Sequence, residues 1–142
     1  MKYFLPLLIF LISCKTSKEY NIVNIHLNPK SHGWHFIELT KVGPKENYKI
    51  AEVSFDSATY LRTATVSDYD AVDYNVYDGA GNEISSTMKL PGVISHHNKK
   101  TYFTFYNPGK QDLEEVKQWT PDDAGYKRIM QLQNGALDEL LK

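Results

Sequence analysis

Residues Tyr20-Asn21-Ile22-Val23-Asn24-Ile25-His26-Leu27 form a stretch in which apolar and polar side chains alternate. Val23, Ile25 and Leu27 fall on one side of an extended chain, and Asn24 and His26 fall on the other. Successive side chains of a strand point to opposite faces, so one apolar side indicates one buried face. The stretch therefore predicts a half-buried β-strand at the start of a sheet-built core.

Similar stretches follow along the chain, separated by turn residues roughly every 8–12 positions. A tight turn is expected at Asp78-Gly79, because a glycine there accommodates the positive φ that short hairpins require. We predict further strands over residues 34–42, 48–55, 60–66, 72–77, 83–88 and 101–106. Together they predict a mainly β fold of about seven strands, arranged as an antiparallel sandwich or a partly open barrel.

The periodicity changes near the C-terminus. Thr120-Pro121-Asp122-Asp123 is typical of a helix start, with Thr120 as the N-cap, proline in the first turn and acids near the positive end of the helix dipole. Apolar residues then recur at spacings of three and four. We predict a helix over about residues 120–141 that covers a sheet face or a sheet edge, preceded by a short helical turn within 113–119.

The N-terminus has the pattern of an export signal. Lys2 precedes an apolar run that is too short to span a bilayer, which requires about 20 apolar residues. The run ends in Leu11-Ile12-Ser13-Cys14, which resembles the lipobox of bacterial lipoproteins. The resemblance implies removal of residues 1–13, thioether acylation of Cys14 and a further acyl chain such as palmitate on the new N-terminus. Two acyl chains give stable membrane anchoring.

The predicted cleavage before Cys14 and its acylation define the organisation and the location of the mature chain. Residues 14–19 are predicted to form a lipidated tether, and residues 20–142 a single β-rich domain. Because aspartate, which retains many lipoproteins at an inner membrane, does not follow Cys14, we expect anchoring at the outer membrane of the cell envelope, on its periplasmic face or the cell surface. A net charge of −1 provides no basic surplus for binding nucleic acid. With its only cysteine acylated, the chain has no thiol for disulfides or catalysis.

Part of the domain is similar to a loose group of small β-rich lipoproteins of Bacteroidota. The similarity lies in Gly33-Trp34-His35-Phe36-Ile37, in the strand that leads into Ser57-Ala58-Thr59-Tyr60-Leu61-Arg62-Thr63, and in Asp78-Gly79-Ala80-Gly81. It implies a β-rich envelope domain and no particular activity. It also suggests Ser57, in Asp56-Ser57-Ala58, as an O-glycosylation site, because that tripeptide is glycosylated in exported proteins of this phylum.

Histidines and acidic residues provide candidate metal ligands. His32, His35 and His96 are the zinc candidates, since zinc is bound by three or four nitrogen, sulfur or carboxylate ligands. The alternative is that these are loop histidines that merely titrate near neutral pH. The acidic stretch 68–73 lacks the glycine and the distal glutamate of an EF-hand loop, which favours a solvated acidic turn. We therefore expect no metal and no cofactor.

Aromatic side chains are the candidate binding residues. Tyrosine offers rigid, amphipathic contact area, and aromatic residues are enriched at interfaces. The alternative is cross-strand packing within the sheets. The candidates for an exposed binding face are Trp34, Tyr74, Tyr77, Tyr102 and Tyr106.

The sequence contains neither of the hydrolase motifs Gly-x-Ser-x-Gly and His-Glu-x-x-His, and we predict no catalytic residue. We expect a lipid-anchored envelope lipoprotein that acts as a non-catalytic binding or structural module for another envelope protein or a glycan. One alternative is an inhibitor or immunity-type lipoprotein that blocks a secreted toxin or hydrolase. The other is a small envelope enzyme, which a cleft holding His35 or His96 with a carboxylate would favour.

Overall fold

The computed structural model describes residues 21–41, 50–69, 72–85, 90–109, 114–120 and 122–142. The signal segment 1–13 and the tether 14–19, with Cys14, lie outside these residues. The strands are β1 (Asn21–Leu27), β2 (Gly33–Lys41), β3 (Ile50–Phe55), β4 (Leu61–Val66), β5 (Val72–Tyr77), β6 (Leu90–His97) and β7 (Lys100–Asn107), and the helices are α1 (Glu114–Lys117) and α2 (Asp123–Leu140). Within the described part of the chain, no helix is both long and apolar enough to cross a membrane.

The strands form two sheets that pack face to face. Sheet A has the order β3-β1-β5, and sheet B has the order β4-β2-β7-β6. In β1 the side chains of Val23, Ile25 and Leu27 are buried, as their alternation predicts. They meet inward-facing residues of both sheets, including Phe55 and Phe105, in one apolar core. The predicted mainly β sandwich with a C-terminal helix is thus confirmed.

The directions of the strands correct one part of the fold prediction. Among the described strands, the pairs β2–β7 and β6–β7 are antiparallel. The pairs β1–β3, β1–β5 and β2–β4 are parallel. The reason is the route of the chain, which passes from one sheet to the other after each of the first five strands. Each passage reverses the direction of the chain. The strands that the chain contributes in this way to one sheet, β1, β3 and β5 or β2 and β4, therefore all run in the same direction.

Two predicted connections also differ from the structure. The turn at Asp78 is present, but among the described residues its second arm is reduced to a single bridge between Tyr77 and Glu83, and residues 86–89 lie outside the description. His96, for which the sequence suggests a loop position, lies instead near the end of strand β6. The β6–β7 hairpin turns at Asn98 and Lys99, which both have positive φ, as type I′ turns require.

The two described helices pack on part of the outer face of sheet B. Val116 of α1 and Ile129 of α2 pack with Tyr106, while Leu137 of α2 packs with Phe36 and Tyr102. The predicted N-cap at Thr120 is wrong. The side chain of Asp122 caps α2 by accepting a hydrogen bond from the backbone N–H of Gly125 at 2.7 Å, and the helix begins one residue later.

Candidate binding face

The outer face of sheet A carries a set of polar side chains that no other described element covers. The outward positions of its three strands are exposed or half-buried, whereas the helices pack on part of the corresponding face of sheet B, around Phe36, Tyr102 and Tyr106. We call this surface the open face. Its members are Ile22, Asn24 and His26 on β1, Ile50, Glu52 and Ser54 on β3, and Asp73, Asn75 and Tyr77 on β5.

A chain of hydrogen bonds crosses the open face from strand to strand. Glu52 accepts a bond from the amide nitrogen of Asn24 at 2.7 Å, and its second oxygen lies 2.7 Å from Nε2 of His26. The side-chain oxygen of Asn24 accepts a bond from Nδ2 of Asn75 at 3.1 Å. The bond from Asn24, followed by that from His26, lowers the pKa of Glu52, so the carboxylate stays ionised at neutral pH. These hydrogen bonds restrict the conformations of the polar side chains.

An aromatic pair adjoins this hydrogen-bonded set, which we call the polar row and which consists of Asn24, His26, Glu52 and Asn75. His26 and Tyr77 are partners across the β1–β5 ladder, and their rings stack with centroids 5.3 Å apart and planes inclined by 17°. The two rings are neighbours because β1 and β5 pair in parallel in sheet A, although these strands are far apart in the sequence. The stack limits the rotamers of both side chains and places a planar apolar surface next to the polar row.

An open groove of about 480 Å³ adjoins the open face at the carboxyl ends of β1 and β3. His26 and Ser54 lie where the face meets the groove, and Asp56, Arg62 and Asp78 lie along its walls. The Arg62 side chain donates from Nε to the carbonyl of Ser54 at 2.8 Å and lies 3.7 Å from the Asp56 carboxylate. The groove thus combines one fixed cation with two carboxylates.

Both of these carboxylates accept hydrogen bonds from groups within their own turns. Asp78 accepts bonds from the backbone of Ala80 and from the backbone and side chain of Asn82. The bonds from Asn82 hold the pKa of Asp78 below its usual range. The turn also approaches the β1–β2 connection closely, because a Cβ at Gly79 would overlap the ring of Pro29. The groove wall is therefore a packed structure.

On the opposite wall, Asp56 accepts a bond from the backbone N–H of Ala58 at 2.9 Å, which lowers the pKa of Asp56. Ser57, the candidate glycosylation site, is exposed at this turn. The two acidic turns stand on either side of the groove, and each is built around one aspartate.

The structure separates the predicted aromatic candidates. Tyr77 lies on the open face, whereas Tyr74 is stacked flat on Phe103 in the core at 3.5 Å. Trp34 meets Tyr106 edge-on under the helices, and Tyr102 and Tyr106 are buried there. Four of the five candidates therefore pack against other rings or under the helices, Trp34 and Tyr74 while partly buried, and Tyr77 lies on the open face.

The histidines suggested as zinc ligands lie in three separate environments. His32 contacts the carbonyl of Pro108 at 3.1 Å, and His96 contacts the hydroxyl of Thr101 at 3.1 Å. His35 is buried in the core. Within the described ranges, no three histidine, cysteine or carboxylate side chains converge as a metal site would require.

His35 forms a complete internal hydrogen-bond set. Its Nδ1 lies 2.9 Å from the carbonyl of Gly33, which can only accept, so Nδ1 carries the proton. Its Nε2 lies 2.7 Å from the hydroxyl of Ser31, which therefore donates to it. Burial lowers the pKa of His35 to about 4, because a charged imidazole inside the core would lack the water that solvates it in the unfolded chain. Ser31 and His35 are both fully enclosed.

The sequence pattern alone does not identify the residues of the polar row as a candidate site. The alternation along β1 places Asn24 and His26 on the solvent side, and this was the only available signal. Glu52 and Asn75 join them through parallel pairing with strands that follow much later in the chain. The sequence pattern does not reveal that neighbour relation.

The chain matches no known protein-family model and no curated protein. Among solved structures, it resembles a Bacillus anthracis protein that is provisionally described as a lipoprotein, with 17% identity and a TM-score of 0.32. The match covers 77% of this chain and 90% of the other. Agreement at this level shows neither a shared fold nor a shared function.

Proposed function

We propose that this protein is a lipid-anchored envelope lipoprotein whose sandwich is a non-catalytic binding module, and that its ligand binds on the open face. The observation that carries the proposal is the asymmetry of the sandwich. Helices pack on the outer face of sheet B around Phe36, Tyr102 and Tyr106, while on the outer face of sheet A a hydrogen-bonded row of polar groups lies exposed beside a groove. Polar groups held in fixed positions lose little entropy when a ligand binds.

The chemistry of the open face suits a glycan. Sugar hydroxyls both donate and accept hydrogen bonds, and the C–H faces of a sugar ring pack on flat apolar surfaces. The amides of Asn24 and Asn75 each retain a second N–H, and Glu52 retains acceptor capacity. His26 and Tyr77 supply the planar surface. A protein segment would more readily add to a free sheet edge, since extended peptides bind through their backbone.

The buried Ser31–His35 pair is not placed to act as a catalytic pair. A serine hydroxyl 2.7 Å from a histidine nitrogen resembles an activated nucleophile with its base. Both residues are fully enclosed, so neither atom can meet a substrate. Their hydrogen bonds instead satisfy polar groups inside the core.

The anchoring part of the proposal rests on Leu11-Ile12-Ser13-Cys14. We expect cells fed an alkyne analogue of palmitate to label the wild-type protein and to leave the Cys14→Ser variant unlabelled and free of the membrane fraction. Separating the two envelope membranes then tests the expected outer-membrane location. An unlabelled wild-type protein of full length would contradict the anchoring.

Binding is tested by presenting the detergent-solubilised, acylated chain to an array of envelope and extracellular oligosaccharides. For an oligosaccharide that binds, His26→Ala and Tyr77→Ala should each weaken affinity at least about tenfold, or about 1.4 kcal/mol, as expected for an anchor residue of a binding face. Both side chains lie at the surface, so loss of the fold does not explain such a loss.

Matched controls come from residues of the same type elsewhere on the surface. His97 is paired with Asp138 at 2.9 Å, much as His26 is paired with Glu52, and Tyr126 is exposed on α2. We expect His97→Ala and Tyr126→Ala to change affinity by less than about twofold. Equal losses in both pairs of variants, or no binding to any oligosaccharide, would exclude the open face as a glycan site.

A further inference from the structure

The groove and the point at which the chain enters the domain lie at opposite ends of sheet A. β1 begins at Asn21, seven positions after Cys14, and ends at Leu27, which lines the groove. The six steps between these residues span about 20 Å at the usual rise of a strand. β1 therefore runs from the end of the domain that is nearest to Cys14 in sequence to the proposed binding site.

Hydrogen bonds fix the start of β1 in place. Nδ2 of Asn21 donates to the hydroxyl of Ser67 at 2.6 Å, and the backbone N–H of Ser67 donates back to Asn21 at 3.4 Å. Ser67 directly follows β4, whose last residue, Val66, pairs with Lys41 of β2. Asn21, Lys41 and Ser67 therefore define one end of the sandwich, which we call the attachment end.

Three turns converge at the other end. β1, β3 and β5 run parallel, so their carboxyl ends meet at the same edge of sheet A. The residues that follow them, Asn28, Asp56 and Asp78, line the groove together. We call this the groove end.

We infer that the groove opens away from the membrane that holds the acyl chains, and that its ligand is a glycan chain standing off that bilayer rather than a sugar headgroup within it. The inference rests on the proposed acylation of Cys14 and on the proposed glycan site. With the attachment end toward the bilayer, the groove end lies about 20 Å farther from the membrane than Asn21 does. In the reversed orientation, with the groove end against the bilayer, the segment from Cys14 to Asn21 would have to span the length of the sandwich. That path of about 20 Å would use most of the roughly 25 Å that seven residues can reach. An upright domain needs no such extension.

The inference is tested with the full, acylated chain in vesicles that contain a headgroup-labelled quencher lipid. Acylation blocks the native thiol, so a reporter cysteine can be placed at the groove end as Ala80→Cys or at the attachment end as Lys41→Cys, both exposed positions. We expect the dye at position 41 to be quenched several-fold more strongly than the dye at position 80. Ser57→Cys provides a second groove-end position in case one variant does not fold.

Equal quenching at both ends, or stronger quenching at positions 57 and 80, would overturn the inference. Vesicle flotation separates this result from failure of the anchoring, because a protein that does not float with the vesicles was never attached. A second measurement addresses the ligand. The anchored protein should capture a soluble oligosaccharide found on the array, and a glycolipid carrying the same sugar in the same vesicle should compete less than about twofold. Full competition by that glycolipid would contradict the assignment of the ligand.

Discussion

Acidification from pH 6.5 to about 4 is expected to lower the free energy of unfolding by roughly 3 kcal/mol through His35 alone. In the folded protein this imidazole is fully enclosed, and it lies against the rings of Phe55 and Phe105 at 4.9 and 5.0 Å. Desolvation by burial is the main cause that lowers its pKa to about 4; the bond to Gly33 opposes the shift, and the charge of nearby His32 adds to it.

The direction of the effect follows from which state binds the proton first. In the unfolded chain His35 titrates near its ordinary value of 6.5, while in the folded state it stays neutral until about pH 4. Between these values the unfolded state holds more protons, so acid favours unfolding. The contribution of His35 is therefore fully present above pH 6.5, declines as the pH falls, and levels off below about pH 4.

Urea unfolding of the wild type and of His35→Gln at a series of pH values from 4.5 to 7.5 measures this contribution. The variant should be less stable at neutral pH, because glutamine does not reproduce the hydrogen bonds to Ser31 and Gly33. Its stability should nevertheless change less across this pH range. The difference between the two proteins removes the contributions of the other histidines and of the carboxylates.

Parallel curves for the two proteins would show that His35 does not bear the predicted pKa. A nuclear magnetic resonance titration of the His35 ring provides a direct reading that does not depend on the stability of the variant. The ring should remain neutral down to about pH 4 in the folded wild type.

The sequence patterns predicted which residues are buried better than they predicted which strands are neighbours. The alternation in β1 correctly places Val23, Ile25 and Leu27 in the core, because period two reports the face of each side chain. It carries no information about strand direction. The connections 28–32 and 56–60 are short enough for hairpins, yet the chain uses both to pass between sheets. Three parallel pairs result, which a local pattern could not reveal.

The aromatic candidates for the binding site show the same limit of the sequence pattern. Residues 101–106 of β7 are buried on both faces, since Phe103 and Phe105 face the core while Tyr102 and Tyr106 face the helices. A continuous run of apolar and aromatic residues is typical of a strand that is buried on both faces, and the structure has that arrangement here. Tyr77 has similar chemistry but lies on the face that α2 leaves uncovered. Whether a tyrosine packs or binds was thus decided by the position of a helix some fifty residues further along the chain.

Replacing Leu137 by alanine should lower the free energy of unfolding by about 2–5 kcal/mol, as for other fully buried leucines. Leu137 is completely buried between α2 and sheet B, where it packs with Phe36 and Tyr102. The substitution removes this contact and leaves a cavity. Leucine and alanine both favour helix, so the intrinsic propensity of α2 changes little.

Leu140→Ala is the matched control, because Leu140 lies three residues later in the same helix and is 41% exposed. We expect it to change stability by less than about 1 kcal/mol, since it fills no enclosed space. Urea unfolding of both variants at pH 7.5, where His35 is neutral, provides the comparison. Similar losses in the two variants would mean that α2 does not pack on sheet B as described.

The Leu137→Ala variant also tests how the two faces of the sandwich divide their roles. Its cavity lies on sheet B, across the core from His26 and Tyr77. At a temperature where the variant remains folded, its affinity for an oligosaccharide of the open face should stay within about twofold of the wild type, because sites without shared contacts act independently. A large loss of both stability and affinity would instead show that the helix-covered face supports the binding geometry, so that sheet A would not be a self-sufficient recognition surface.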